Sequence, residues 1–194
     1  MISILEKSNQ RMQAIDLESK LLERGLIFIT EVLDSDTVTS YQAQLLYLMS
    51  ILKPEDTKSN PIQIYINSPG GEVYSTFGLY DIMQMMINKG YIIKTVNVGL
   101  AASGASVILM AGSPGYRCTL PNCTVMVHQP HTKTAGTTAE IVNEGKEMQR
   151  IKDIMAEIAR KHACEEVVPM LEKDSYMSVE DAIKYKVVDK IIGQ

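Results

Sequence analysis

Ser103 stands where a strand-like run meets a helix-like run, and that junction carries the strongest chemical signal in the chain. Residues 91–98 are apolar and read as a buried strand. Residues 104–111 are small or apolar, end at Gly112, and read as a buried helix. The first turn of a helix has unsatisfied N–H groups that favour negative charge. Such a place suits an acyl-transfer nucleophile, whose transition state develops an oxyanion. Serine is equally a common N-cap, so the stretch alone leaves both roles open.

A nucleophilic hydroxyl needs a base, and the base needs an orienting group. The chain has three histidines. His162 lies at the charged end of a long helical pattern and reads as solvated, and His131 lies in a polar stretch and reads as surface. His128 ends an apolar strand, shares a face with Met126 by strand parity, and falls on the sheet edge expected for Ser103. It reads as a base or as a hydrogen-bonded core residue. Spacing does not single out the acid, because Asp81, Asp153, Asp174, Asp181 and Asp189 are all candidates. Asp81 reads as surface; Asp174 lies in a loop between helices, free to approach an imidazole. Backbone N–H groups at Gly71 and Gly104 are candidate oxyanion donors. The other reading of Gly70-Gly71 is a tight turn, and neither GxGxxG nor GxxxxGK[ST] occurs to make it a phosphate loop.

These residues need elements to bring them together. Strands are expected at 26–29, 62–67, 91–98 and 124–128, alternating with helices from about 35 to 52, 73 to 88 and 104 to 111. That is a succession of βαβ units on a parallel sheet, whose strand-to-helix turns all fall on one edge. Thr137-Thr138-Ala139-Glu140 fits a capping box and opens a helix to about Lys161. Ile141, Met148, Ile151, Ile154, Met155 and Ile158 form its apolar stripe. At about 37 Å it is longer than a core of this size needs, which favours a contact with another subunit. Short helices are expected near 16–24, 165–172 and 178–186, and an extended tail at 187–192. Residues 1–15 show no clear periodicity and read as a mobile arm.

The totals narrow the class. A chain of 194 residues with 45% apolar and 22% charged residues is an ordinary globular protein. A net charge of −4 without a basic run argues against nucleic acid as the main partner. No apolar segment reaches membrane-spanning length, and no signal-peptide pattern opens the sequence. Three cysteines without a CxxC pair imply free thiols in a reducing cytoplasm and no zinc site.

Several spaced motifs then resemble one family. They are Ile64-Tyr65-Ile66-Asn67-Ser68-Pro69-Gly70-Gly71, Leu79-Tyr80-Asp81-Ile82-Met83-Gln84, Val98-Gly99-Leu100-Ala101-Ala102-Ser103, Leu120-Pro121-Asn122, Val125-Met126-Val127-His128-Gln129-Pro130 and Asp174-Ser175-Tyr176-Met177-Ser178. Together they resemble ClpP, the proteolytic subunit of the ATP-dependent Clp protease, in order from about Leu21 to Ile192. The resemblance implies an α/β, ClpP/crotonase-like fold of repeated β-β-α/βαβ units with a projecting handle helix. It implies an arm over 1–16 and a single peptidase domain over 17–194, with a handle region at about 131–162. It places the nucleophile on Ser103, the general base on His128, the orienting acid on Asp174 and the oxyanion donors on Gly71 and Gly104. It further implies two stacked heptameric rings, a tetradecamer, that hydrolyse unfolded proteins and peptides in the cytoplasm. No cofactor is implied in this chain, ATP being used only by a separate hexameric AAA+ unfoldase.

The sequence departs from the family in four places. Gly104-Ala105-Ser106 stands where Met-Gly-Ala is usual, and a few residues are added between Gln84 and Lys94. Residues 131–136 carry a single glycine in place of a glycine-rich strand, and the arm is unlike the family's axial loops. The pattern is that of a divergent member. Alternative readings are a relative dedicated to viral precursor processing, a catalytically silent ring subunit, and acyl-CoA chemistry on a crotonase-type fold. The polar arm, weighed against apolar residues such as Met85 and Met86 near Tyr65, predicts peptide cleavage without an ATPase and weak dependence on an unfoldase.

Overall fold

The computed structural model describes residues 3–8 and 11–193. The chain begins with a hairpin, β1 (Ser3–Ser8) against β2 (Arg11–Asp16), antiparallel in a sheet of its own. The described residues of the segment in which the sequence shows no periodicity are thus regular at the backbone level. Among the described residues these two strands pair with each other and with no strand of the main sheet. Helix α1 (Leu17–Leu22) follows, with the Asp16 carboxylate accepting from the Ser19 N–H.

The main sheet starts with β3 (Leu26–Ile29), and helix α2 (Ser35–Ile51) comes next. The Asp34 and Thr37 side chains reciprocally satisfy each other's backbone N–H groups at the start of α2. A single turn, α3 (Asp56–Ser59), interrupts the expected polar loop before β4 (Ile62–Ser68). Helix α4 (Val73–Asn88), β5 (Ile93–Ala102) and helix α5 (Gly104–Met110) continue the alternation. Strands β3, β4 and β5 are parallel neighbours, and Ile27, Ile29, Ile64, Ile66 and Ile93 on them are each at most 1% exposed. They meet Leu45 and Leu48 of α2 and Leu79 and Met83 of α4 in one core. Burying each such side chain contributes on the order of 1.5–3 kcal/mol.

Beyond β5 the sheet divides. The short β6 (Arg117–Thr119) runs parallel to residues 95–97 of β5, whereas β7 (Thr124–Val127) runs parallel to residues 100–102. Strand β6 was not foreseen, because a three-residue strand with every residue buried has no alternation to read. Helix α6 (Thr138–His162) opens on the expected capping box between Thr137 and Glu140. Helix α7 (Val167–Met170), β8 (Ser175–Met177), helix α8 (Val179–Lys184) and β9 (Lys190–Ile191) complete the chain. Strand β8, expected as loop, pairs antiparallel with β7, and β9 pairs parallel with β6. The result is a mixed α/β fold with a mostly parallel sheet, as expected.

Helix α6 has two unlike halves. Ile151, Met155, Ile158 and Ala159 are buried in the core, while residues 131–143 are all exposed, among them Ile141 (45%) and Val142 (51%). One expectation is corrected here. Met86 is fully buried between α4 and the core, so it lines no surface cleft, whereas Met85 is partly exposed. Among the described residues, no helix is long and apolar enough to cross a membrane.

Candidate active site

Ser103 is the single residue between β5 and α5, and its backbone is turned sharply, with φ 53° and ψ −123°. Positive φ in a non-glycine residue costs on the order of 1–3 kcal/mol and persists only where the surroundings impose it. Here they do. The Ser103 N–H donates to Met126 O at 2.9 Å, and its carbonyl accepts from Ser106 N at 3.0 Å. Gly70 packs against the turn from the other side, where a Cβ would lie 2.5 Å from Ala102 O and 2.8 Å from Ser103 Cβ. Only glycine leaves room for this contact, and its own φ is +87°. The hydroxyl does not cap α5. It lies 2.8 Å from His128 Nε2 instead, which removes the N-cap reading.

His128 follows directly after β7, and β5–β7 pairing sets Met126 opposite Ala102, one residue before Ser103. Antiparallel pairing of β8 with β7 sets Ser175 opposite Val127, which delivers Asp174 to the imidazole. Asp174 Oδ1 is 3.0 Å from His128 Nδ1. An ionised carboxylate only accepts, so Nδ1 carries the hydrogen and Nε2 is left to accept from the Ser103 hydroxyl. The His128 side chain is 15% exposed and that of Asp174 is 67% exposed. Two contacts that spacing does not reveal hold the Asp174 loop: Gln129 Nε2 donates to Glu172 O at 3.0 Å, and Ser175 Oγ donates to Met170 O at 2.9 Å. Their signal in the sequence is adjacency to the site residues alone.

Gly71 and Gly104 line one small pocket together with Ser103. Gly71 bridges to Leu33 through its neighbours, with the Leu33 N–H donating to Gly70 O and Glu72 N donating to Leu33 O. Gly71's own N–H takes no part in that bridge. Gly104 opens α5, so its N–H has no acceptor one turn earlier in the helix. Both peptide groups are thus placed beside Ser103 with donors suited to a developing oxyanion.

The other candidates go elsewhere. Asp189 makes a two-pronged ion pair with Arg117, Nε to Oδ2 at 3.0 Å and Nη2 to Oδ1 at 2.6 Å, tying the strand end at β9 to β6. Burial alone would raise its pKa, but hydrogen bonds from the Arg117 side chain and backbone and the nearby guanidinium charge outweigh this and hold it below the usual carboxylate range. Asp153 is exposed and accepts from Gln149, and Asp181 faces its capping residue Ser178. Asp81 is exposed on α4, as expected. His131 is exposed, its ring set T-shaped to that of His128 with the ring centres 5.5 Å apart. His162 is corrected. It is part-buried, with Nε2 2.9 Å from the Tyr80 hydroxyl, and Arg117 Nη1 donates to its carbonyl. Burial, and then the charges of Lys161 and Arg117, push its imidazole down to about 4.

A larger cavity of about 400 Å³ lies between α4 and α6, bordered by Tyr80, Asp81, Arg150 and Lys161, and Ser103 is not among its lining residues. Near it, Tyr74 of α4 donates to Glu147 of α6 at 2.8 Å, and Arg150 holds the same carboxylate. Hydrogen bonds from Arg150 and then Tyr74 bring Glu147 down to about 2. Among the described residues, no group of three or more His, Cys, Asp or Glu side chains could hold a metal ion.

The family model described as Clp protease matches residues 8–194. The ATP-dependent Clp protease proteolytic subunit of Deinococcus radiodurans is 36% identical over 98% of this chain and 91% of its own length. The corresponding protein of Bacteroides fragilis is 35% identical over 97% and 89%, and proteolytic subunit 1 of Salinibacter ruber is 37% identical over 98% and 80%. A family match over nearly the whole chain, with relatives above 30% identity at this coverage, shows that the chain belongs to the Clp protease family, whose proteolytic subunits are serine endopeptidases.

Proposed function

We propose that Ser103, His128 and Asp174 form the catalytic triad of this serine endopeptidase, with the Gly71 and Gly104 N–H groups as its oxyanion donors. The observation that carries the reading is the pair of His128 contacts, 2.8 Å to Ser103 Oγ and 3.0 Å to Asp174 Oδ1. His128 Nε2 takes the hydroxyl proton as Ser103 Oγ attacks the scissile carbonyl. The oxyanion forms against the two glycine N–H groups. The C–N bond then breaks as the imidazolium returns the proton to the leaving amine, which leaves an acyl-Ser103 ester. Water, deprotonated by His128, hydrolyses that ester and regenerates the hydroxyl. Asp174 holds the imidazole tautomer throughout.

Residues 17–194 act in this reading as one peptidase unit with a handle at 131–162. The exposed half of α6 serves ring-to-ring contact in a tetradecamer of stacked heptamers, supported by its uncovered Ile141 and Val142. The site lies in a cytoplasmic chamber that receives unfolded proteins and peptides, with ATP used only by a separate AAA+ unfoldase. Peptides are cleaved without that partner, and folded substrates depend on it weakly. The intact Ser–His–Asp geometry disfavours a silent subunit, and the family relationship disfavours a dedicated precursor protease or acyl-CoA enzyme. The test is peptide hydrolysis with and without added unfoldase and ATP, alongside native mass measurement. Peptide cleavage that requires the unfoldase would overturn the first part, and an active monomer would overturn the second.

A further inference from the structure

We propose that Thr76 is the specificity-determining residue of the site: it closes the pocket beside Ser103 so that only a small side chain, of alanine or serine size, fits at the residue whose carbonyl is attacked. This rests on Ser103 being the nucleophile.

Val73, Thr76, Phe77, Val107 and Met155 line the pocket together with Ser103. It carries no charged side chain, so its occupant is uncharged. The space that water-sized occupants can fill is about 20 Å³. That compares with the roughly 10–15 Å³ needed for one water. A methyl group fits such a space; a branched four-carbon side chain does not, unless a wall moves.

Thr76 is the wall that does not move. It lies on the second turn of α4, is 2% exposed, and donates its hydroxyl to Glu72 O at 2.8 Å. A β-branched side chain in a helix is already restricted at χ1, and this hydrogen bond fixes it further. On the facing wall, a Cβ on Gly104 would lie 2.4 Å from Thr76 Oγ1 and 3.3 Å from Thr76 Cγ2. Thr76 therefore occupies the volume that any side chain following the nucleophile would need. The two positions are a matched pair, a full-sized residue on α4 against none on α5, and Thr76 sets the depth of what is left.

The experiment uses the assembled protein and fluorogenic peptides that differ only in the residue before the cleaved bond: Ala, Val, Leu or Phe. An unaccommodated methylene costs about 10-fold or more in kcat/KM. Wild type should therefore cleave after Ala at least about 10-fold better than after Leu. Thr76→Ala should raise the Leu-to-Ala ratio by a similar factor, and Thr76→Val, which keeps the shape, should leave it near wild type. Fluorophosphonate labelling of Ser103 reports site integrity independently of the peptide used. If Thr76→Ala loses labelling, Thr76→Ser, which removes only the methyl, takes its place in the same comparison. Labelling with wild type preferring Leu, or with a ratio that Thr76→Ala and Thr76→Ser leave unchanged, overturns the pocket assignment alone. No labelling of wild type overturns the nucleophile reading and this proposal with it.

Discussion

The sheet edge bearing Ser103 and the first half of α6 satisfy their surfaces in opposite ways. At the sheet edge Met126 O holds the Ser103 N–H, Gly70 packs under the turn, and β7–β8 pairing brings Asp174 to His128. Among the described residues, no buried side-chain polar atom lacks a partner. Residues 131–143 are exposed throughout, and Ile141 and Val142 present apolar surface to solvent on a helix whose other half is core. The residues proposed as the triad are thus held by contacts within the chain, whereas the handle presents an apolar face that the chain itself does not cover. Elements with few buried contacts open most readily, so the first half of α6 is expected to exchange its amide hydrogens before the sheet edge does.

The largest expected effect is at the sheet edge. Ser103→Ala should lower kcat by about 10⁶-fold, the scale of nucleophile loss in a serine protease, with assembly by native mass unchanged. Activity near wild type would place the nucleophile elsewhere. Asp174→Asn comes next. Loss of the tautomer-fixing carboxylate costs about 10⁴-fold in the serine-protease template, and with Asp174 67% exposed water can partly replace it, so a loss of between about 10² and 10⁴ is expected. An unchanged kcat would assign the orienting role to another group.

The two halves of α6 can then be set against each other. Ile151→Glu buries a charge in the subunit core and should destabilise the fold by about 3 kcal/mol or more, read as a shifted denaturant midpoint. Ile141→Glu together with Val142→Glu should leave subunit stability within about 0.5 kcal/mol while breaking the assembly into smaller species. Equal effects from both would erase the distinction between the halves.

The smallest effect concerns pH. His162 titrates at about 4 in the folded protein, against an ordinary value of 6.5. The unfolded chain takes up that proton first as pH falls. The contribution of neutral His162 is therefore whole above pH 6.5 and is lost as pH drops from 6.5 toward 4, by at most about 3 kcal/mol. His162→Gln should flatten the stability curve over that window, and an unchanged slope would mean that other groups carry it.

The sequence was most informative where structure is local or long. The capping box at Thr137 and Glu140, the βαβ alternation, and Ser103 and His128 at one sheet edge are all legible in the residues alone. Asp174 was legible only through family resemblance, because what places it is the pairing of a three-residue strand, β8, with a distant partner. His162 reads as solvated because its sequence neighbours are Arg160 and Lys161, yet Tyr80 of α4 covers it in the fold. Thr76 gave no signal at all. Its meaning comes from the 2.4 Å that separates its hydroxyl from a side chain Gly104 does not have.

The most direct test of the proposed chemistry is fluorophosphonate labelling of the wild-type protein, with the modified residue located by peptide mass mapping. Activation of one hydroxyl by His128 predicts a single adduct on Ser103, lost in His128→Ala. An adduct on another serine, such as Ser106 three residues along α5, or labelling that survives removal of His128, would contradict it.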